Sequence, residues 1–334
     1  MTKGQISRRS FGRYAAGGVL AGSGAPAVLA QAPKTVRLAH HVTTQSEQHA
    51  AAETFGKKLE EYTSGALKLQ ILPAAQMGGQ REIIESVQLG TLDMGYGESG
   101  LYANYLPAFS IVALPYLYKD FGHWTRVVDG EVGQTLARQL EQKAQIRLVN
   151  WMTAGYRDTF LRTKPITNPA DFRGVKIRLP EAPVFVRSFS TLGAQPTPIP
   201  APEMYSALQT GVVDAMEGSP EVAFTFKIFE VTKFFSRTRH ILLDGSFAIN
   251  AGFLGGLPKS QQEALLKAAQ EAAVAQRAAH FDREKMWIEK LRGAGTLTLN
   301  DADLPAFAQA LGPLQDDFAK SAGASDLLAK ARAA

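Results

Sequence analysis

The sequence predicts a two-lobed α/β fold, with a cleft between the lobes and one long helix lying along both. Three observations carry that prediction. A strand–helix alternation runs from residue 34 to 98 and restarts after residue 166. A phrase is written twice: "VQLGTLDMGYGES" at 87–99 and "ALQTGVVDAMEGSPE" at 207–221 align Gln88 with Gln209, Gly90 with Gly211 and Asp93 with Asp214. Residues 260–291 contain no Gly or Pro, and about 30 residues at ~1.5 Å rise make a helix near 45 Å long, more than one lobe is wide.

The elements follow in order. In "KTVRLAHHV", Val36 and Leu38 flank Arg37 as in a first strand. Thr44 and Glu47 read as a capping box for a helix that puts Ala51, Phe55, Leu59 and Tyr62 on one face and ends near Gly65. "ALKLQIL" gives a second strand, a helix over 81–89 stops at Gly90, and "TLDMGYG" gives a third strand. This is the rhythm of a parallel sheet. After a Tyr-rich stretch, a helical region and the strand "QIRLVNW", the pattern begins again. "NPADFRG" supplies Asn168 as N-cap, Pro169 at the first helical position and Gly174 past the end. "VKIRLP" is a strand with Val175, Ile177 and Leu179 on one face and Lys176 and Arg178 on the other. A helix from Pro202 to Gly211 leads to the strand "VVDAM".

The doubled phrase is thus a helix, a glycine stop, a strand and an acidic loop, with Glu98 and Glu217 near the same register. Its Gln and Asp read first as marks of an αβ turn. The paired loops point further, because ligands of open α/β sheets bind beyond the carboxyl ends of the strands. For residues 260–291 an S-x-x-E capping box marks the start, and a coiled-coil dimer is the competing reading. The Ala-rich stripe favours close packing against its own chain.

Residues 1–30 read as an export signal of the twin-arginine type: Ser7, Arg8, Arg9 and Phe11, a short apolar run, then Val28 and Ala30 before Gln31. They hold Lys3, Arg8, Arg9 and Arg13 and no acid, so cleavage takes +4 of the formal +5 and leaves +1. That removes the charge argument for nucleic acid or anionic membrane as a partner. With no cysteine, an exported chain is stabilised by its core alone. There is no G-x-S-x-G and no H-E-x-x-H, and no cofactor is expected. His40, His41 and His49 with Glu47 form a small cluster that admits a metal-dependent enzyme as an alternative.

Several stretches resemble the DctP-like solute-binding proteins of TRAP transporters. They are "AAQMGGQREIIESVQLGTLDMGYGES" (74–99), "ALPYLYKD" (113–120), "GYRDTFLRTKPITNPADFRGVKIRLPE" (155–181) and "GAQPTPIPAPEMYSALQTGVVDAMEGSP" (193–220). The resemblance covers nearly the whole mature chain in the right order. The resemblance implies a periplasmic binding protein fold that closes around an organic acid and hands it to a membrane permease. It implies lobes of 33–154 plus 243–283 and of 155–242 plus 284–334. An ABC-type or chemoreceptor-linked binding protein shares the periodicity, so only these motifs separate the types.

The resemblance implies that Arg178 pairs with the ligand carboxylate, and that Arg157 is a second arginine nearby. The chemistry agrees, since a guanidinium is a planar fork of donors that fits both carboxylate oxygens. Carried onto this sequence, the remaining site is His41, Glu98, Glu181, Ala201, Glu217, Gly218 and Ser219. Ala201 replaces an aromatic found in sialic-acid binders, so a stacking wall is either missing or supplied elsewhere, for example by Trp151 or Tyr96. The weakest match falls at Gly218 and Ser219, where Ser219 would donate to the carboxylate. Glu98 and Glu181 would receive ligand hydroxyls or an amine, or pair with the arginines.

Overall fold

The structure, a computed structural model, describes residues 32–334; the export-signal reading of 1–30 lies outside them. Ten strands form one sheet: β1 (Lys34–Ala39), β2 (Leu67–Leu72), β3 (Met94–Glu98), β4 (Ile146–Leu148), β5 (Met152–Leu161), β6 (Lys176–Leu179), β7 (Gln195–Pro198), β8 (Ala215–Gly218), β9 (Phe234–Asn250) and β10 (Thr298–Asp301). Their order is β2-β1-β3-β9-β5-β8-β6-β7, with β4 and β10 paired to β9.

The order exposes a repeat. β1 is parallel to β2 and β3, and β6 is parallel to β7 and β8. The two parallel trios are joined by β9 and β5, which run antiparallel to each other and to β3 and β8. β9 pairs with β3 through Ile249–Gly245 and with β10 through Phe234–Arg237, so this one strand runs through both halves.

The doubled phrase builds the inner strand of each trio. Gly90 and Gly211 end their helices at φ 74° and 78°, a left-handed conformation that glycine adopts without a Cβ clash. Asp93 then accepts from the backbone N–H of Arg37 (2.8 Å), and Asp214 from that of Lys176 (3.4 Å). Arg37 lies in β1 and Lys176 in β6, so each aspartate clasps the central strand of its own trio. The Q-x-G-x-x-D motif is a turn-and-clasp device, as its first reading held.

Local signals mostly hold, with two corrections. Asn168 and Asp171 form a reciprocal capping box. The cap of helix Glu47–Tyr62 is Ser46, whose hydroxyl accepts from the His49 N–H, in place of Thr44. The long helix runs Lys259–Gly293 and has no side-chain cap, so Ser260 lies inside it. Its Ala268, Ala269, Ala272 and Ala273 are fully buried in one cluster with Phe55 and Leu59 of helix Glu47–Tyr62, while Leu291 packs with Phe160 and Phe235. The alanine stripe is therefore consumed within the chain, as small side chains permit close helix approach. The last helix, Ser325–Ala333, returns to the first half, where the Ala331 carbonyl meets His123 Nε2 at 2.7 Å. No helix among the described residues is long and apolar enough to cross a membrane.

Candidate functional site

Where the inner strands of the two trios end, side chains from both halves line one recess with about 520 Å³ of empty space, part of it open to solvent. The first half contributes His41, Gln80, Arg81, Glu98 and Leu101; the second contributes Arg157, Arg178, Glu181, Ala201, Met204, Val222 and Phe226. Six residues expected from the sequence meet here: Arg178, Arg157, Glu98, His41, Glu181 and Ala201.

The two arginines differ in their partners. Arg157, on β5, donates from Nε and Nη2 to the two carboxylate oxygens of Glu217 at 2.5 and 2.7 Å. Its Nη1 lies 3.6 Å from Glu98, and its guanidinium sits 5.0 Å over the Phe185 ring. Burial disfavours its charge, but the Glu217 carboxylate overrides this and raises the Arg157 pKa. Arg178, on β6, donates from Nε to the Ile199 carbonyl at 2.8 Å and has no ion pair among the described residues. Burial lowers its pKa to about 10, with Glu217 and Glu98 countering only in part. It remains a cation at neutral pH, and its outer amino groups are free to meet a ligand.

Glu217 is fully buried beneath Arg157. Burial works against its charge, yet Arg157 and a hydrogen bond from His240 hold it down at about 2. His240 Nε2 lies 3.2 Å from Glu217 and Nδ1 lies 3.0 Å from the Thr238 hydroxyl. Burial lowers the pKa of this imidazole, so the neutral ring donates from Nε2 and accepts at Nδ1. Glu98 moves in the opposite direction: burial and nearby Glu217 raise it against the pull of Arg157 and Arg178. His41 is driven to about 3 by burial, His40, Arg178 and Arg157 and is uncharged. Glu181 faces Arg81 across the mouth at 3.7 Å, and neither Arg157 nor Arg178 is its partner.

Other expected residues lie elsewhere. In strand register, Glu98 matches Ser219 and Glu217 matches Tyr96, because β3 and β8 begin at equivalent positions, Met94 and Ala215; the two acids are thus two residues apart. Glu98 and Ser219 each precede a short helix. The Ser219 hydroxyl accepts from Val222 N–H at 3.4 Å, and Ser219 lines a separate hollow with Gly155 and His280. Gly218 lies buried in β8 behind Arg157. Tyr96 and Trp151 give no stacking wall. Tyr96 is fully buried against Phe247 and His41, and Trp151 stacks on Phe109 in the core. Strand alternation turns Tyr96 toward the interior, and Phe226, Met204 and Val222 form the apolar wall instead.

The wall residues and Gln80, Arg81 and Phe185 escaped the sequence reading. Gln80 and Arg81 open a helix just after two glycines, a place where side chains are presented at a strand's carboxyl end, and that was the usable signal. The histidine cluster resolves differently: His40 bonds to His49 Nδ1 (2.9 Å) and to the Val42 carbonyl (3.0 Å), leaving both its ring nitrogens engaged. Among the described residues no group of three His, Cys, Asp or Glu side chains could hold a metal.

This architecture is that of the two-lobed TRAP periplasmic solute-binding proteins. The structure superposes on one from Roseobacter denitrificans with bound β-D-glucuronate at a TM-score of 0.85 and 30% identity, covering 90% of this chain and 99% of that one. One from Polaromonas sp. JS666 bound to D-erythronate gives the same TM-score and identity, with 90% and 98% covered. Residues 38–321 match the DctP family, "Bacterial extracellular solute-binding protein, family 7", and the chain belongs to that family. It is also 34% identical over 302 residues to the 2,3-diketo-L-gulonate-binding periplasmic protein YiaO of Escherichia coli (strain K12), covering 90% of this chain and 92% of that protein.

Proposed function

We propose that this protein is the exported, periplasmic receptor of a TRAP-type transporter, and that it binds an organic acid through its carboxylate on Arg178 and delivers it to a membrane permease. The observation that carries this reading is Arg178 itself: a buried cation whose only hydrogen bond among the described residues is to a carbonyl, in a recess shared by both halves. A buried charge without a counter-ion is costly, and a ligand carboxylate removes that cost. Relatives with bound glucuronate and erythronate support an acid as the solute.

The mechanism is capture and closure without bond making. The lobes comprise 33–154 plus 243–283 and 155–242 plus 284–334, with the helix Ser325–Ala333 docked on the first. Arg157 is locked by Glu217 and supports the site from behind, Arg178 takes the carboxylate, and Glu98, His41 and Gln80 approach from the other lobe. A solute that touches both sets favours the closed state, where both are satisfied. Residues 1–30 direct export by the twin-arginine route and are removed.

A thermal-shift screen of the refolded mature protein, from Gln31 onward, tests this against organic acids, sugar acids, amino acids and neutral sugars. A ligand that binds only the folded state raises Tm. A clear shift with a carboxylate is the expected result; shifts with neutral sugars alone would remove Arg178 from its role.

A further inference from the structure

The charged groups of the recess can be counted. Arg157 is neutralised by Glu217 through two hydrogen bonds, and at the partly exposed rim Arg81 is shared by Glu85 at 2.9 Å and Glu181 at 3.7 Å. Among the described residues that leaves, in the buried part of the recess, one cation, Arg178, and one carboxylate, Glu98, whose oxygen lies 3.6 Å from the already committed Arg157. His41 stands between the halves as a neutral ring. The buried part of the empty recess therefore carries no net charge, although Glu98 makes no direct pair with Arg178. A solute carboxylate seated on Arg178 leaves two carboxylates sharing that one unpaired cation, out of water. Like charges in a shared buried site raise the cost of ionising one of them, and a proton on one of the two relieves it. His41 is a poor receiver, since burial disfavours its charged form and the charges of His40, Arg178 and Arg157 add to that.

We propose that this recess accepts one negative charge, and that Glu98 takes up one proton from solvent as the acid binds. The statement rests on the reading of Arg178 as the carboxylate anchor. Glu98 then becomes a neutral acid whose O–H donates to a solute oxygen, a role an ionised carboxylate cannot fill. Burial already raises its pKa in the empty protein, which lowers the cost of the step. A solute with a second carboxylate finds no free cation: Arg157 and Arg81 have partners, and its far end meets Glu98 or Glu181. The solute class is thereby narrowed to monocarboxylates, with hydroxyls that can use the Glu98 O–H.

The test is calorimetric. The mature protein is titrated with D-glucuronate, D-gluconate and D-erythronate, which carry one carboxylate, and with D-glucarate and succinate, which carry two. Titration in phosphate and in Tris at one pH gives the protons exchanged from the difference in apparent enthalpy. The expected result is that a monocarboxylate binds more tightly than both diacids and brings nearly one proton with it above the Glu98 pKa of the empty protein. Between the Glu98 pKa values of the empty and loaded protein, Kd rises tenfold per pH unit. Glu98→Gln abolishes the uptake and flattens that dependence, whereas His41→Gln still takes up the proton. Tight monocarboxylate binding without proton exchange, uptake that survives Glu98→Gln, or preference for a diacid overturns this inference and leaves the Arg178 anchor standing. If none of the five acids binds, the anchor itself falls.

Discussion

Arg157 and Arg178 sit on neighbouring parts of one recess, and each is only 4% exposed. They share a residue type and a depth, and their electrostatic fates are opposite. Arg157 is spent on Glu217 and Phe185; Arg178 keeps its fork open. The contrast shows that a buried arginine is a binding residue only to the extent that the fold withholds a partner. The same lesson holds for the carboxylates: Glu217 is a fixed counter-ion, depressed by Arg157, whereas Glu98, with a longer contact, is raised.

The largest effects test this division directly. Arg178→Ala leaves a desolvated ligand carboxylate unpaired and is expected to cost about 3–5 kcal/mol of binding, read by calorimetry as a Kd weaker by roughly 150- to 5,000-fold. Its Tm in the absence of ligand should hold or rise, since an unpaired buried cation is removed. Retained affinity would end the distinction drawn here. Arg157→Met reverses the pattern. It strands Glu217, so stability in urea is expected to drop by about 3–5 kcal/mol, and an unchanged unfolding midpoint would show that the pair is dispensable.

A pH series sharpens the same contrast. Glu217 is held near 2 against an ordinary value of 4.5. Because its folded pKa is depressed, it contributes stability above about pH 4.5 that is lost as pH falls toward 2, by roughly 3 kcal/mol. Urea unfolding from pH 6 to 2.5 should show this slope in the wild type and a flatter one in Glu217→Gln. Equal slopes would mean that Glu217 is not the residue responsible.

The smallest effect is expected at the mouth of the recess. Arg81 and Glu181 are partly exposed and 3.7 Å apart, a geometry worth about 0–1 kcal/mol. Glu181→Gln should change Kd no more than about fivefold. A change as large as that of Arg178→Ala would move the carboxylate site outward, toward the mouth.

Much of this architecture could be read along the chain. Alternation at Val175, Ile177 and Leu179, the glycine stops at Gly90 and Gly211 and the unbroken run to Leu291 are local signals, set by backbone sterics and side-chain period. They fixed the two trios and the long helix, and the same period aimed Arg178 away from the apolar face. Caps were less secure, as Ser46 shows, because several hydroxyls near a helix start compete for the same free N–H groups.

What the sequence determined by itself is the repeated unit and the residue types brought to the carboxyl ends of its strands, since both depend on spacing of a few residues. What only the tertiary structure decided is which charges meet. Glu217 finds Arg157, 60 positions away, Tyr96 turns inward, Phe226 supplies the wall, and Glu98 is left 3.6 Å from an arginine already committed to another acid. Charge pairing in a buried site falls off over a few ångströms, and distances of that order between remote segments exist only once the sheet has assembled.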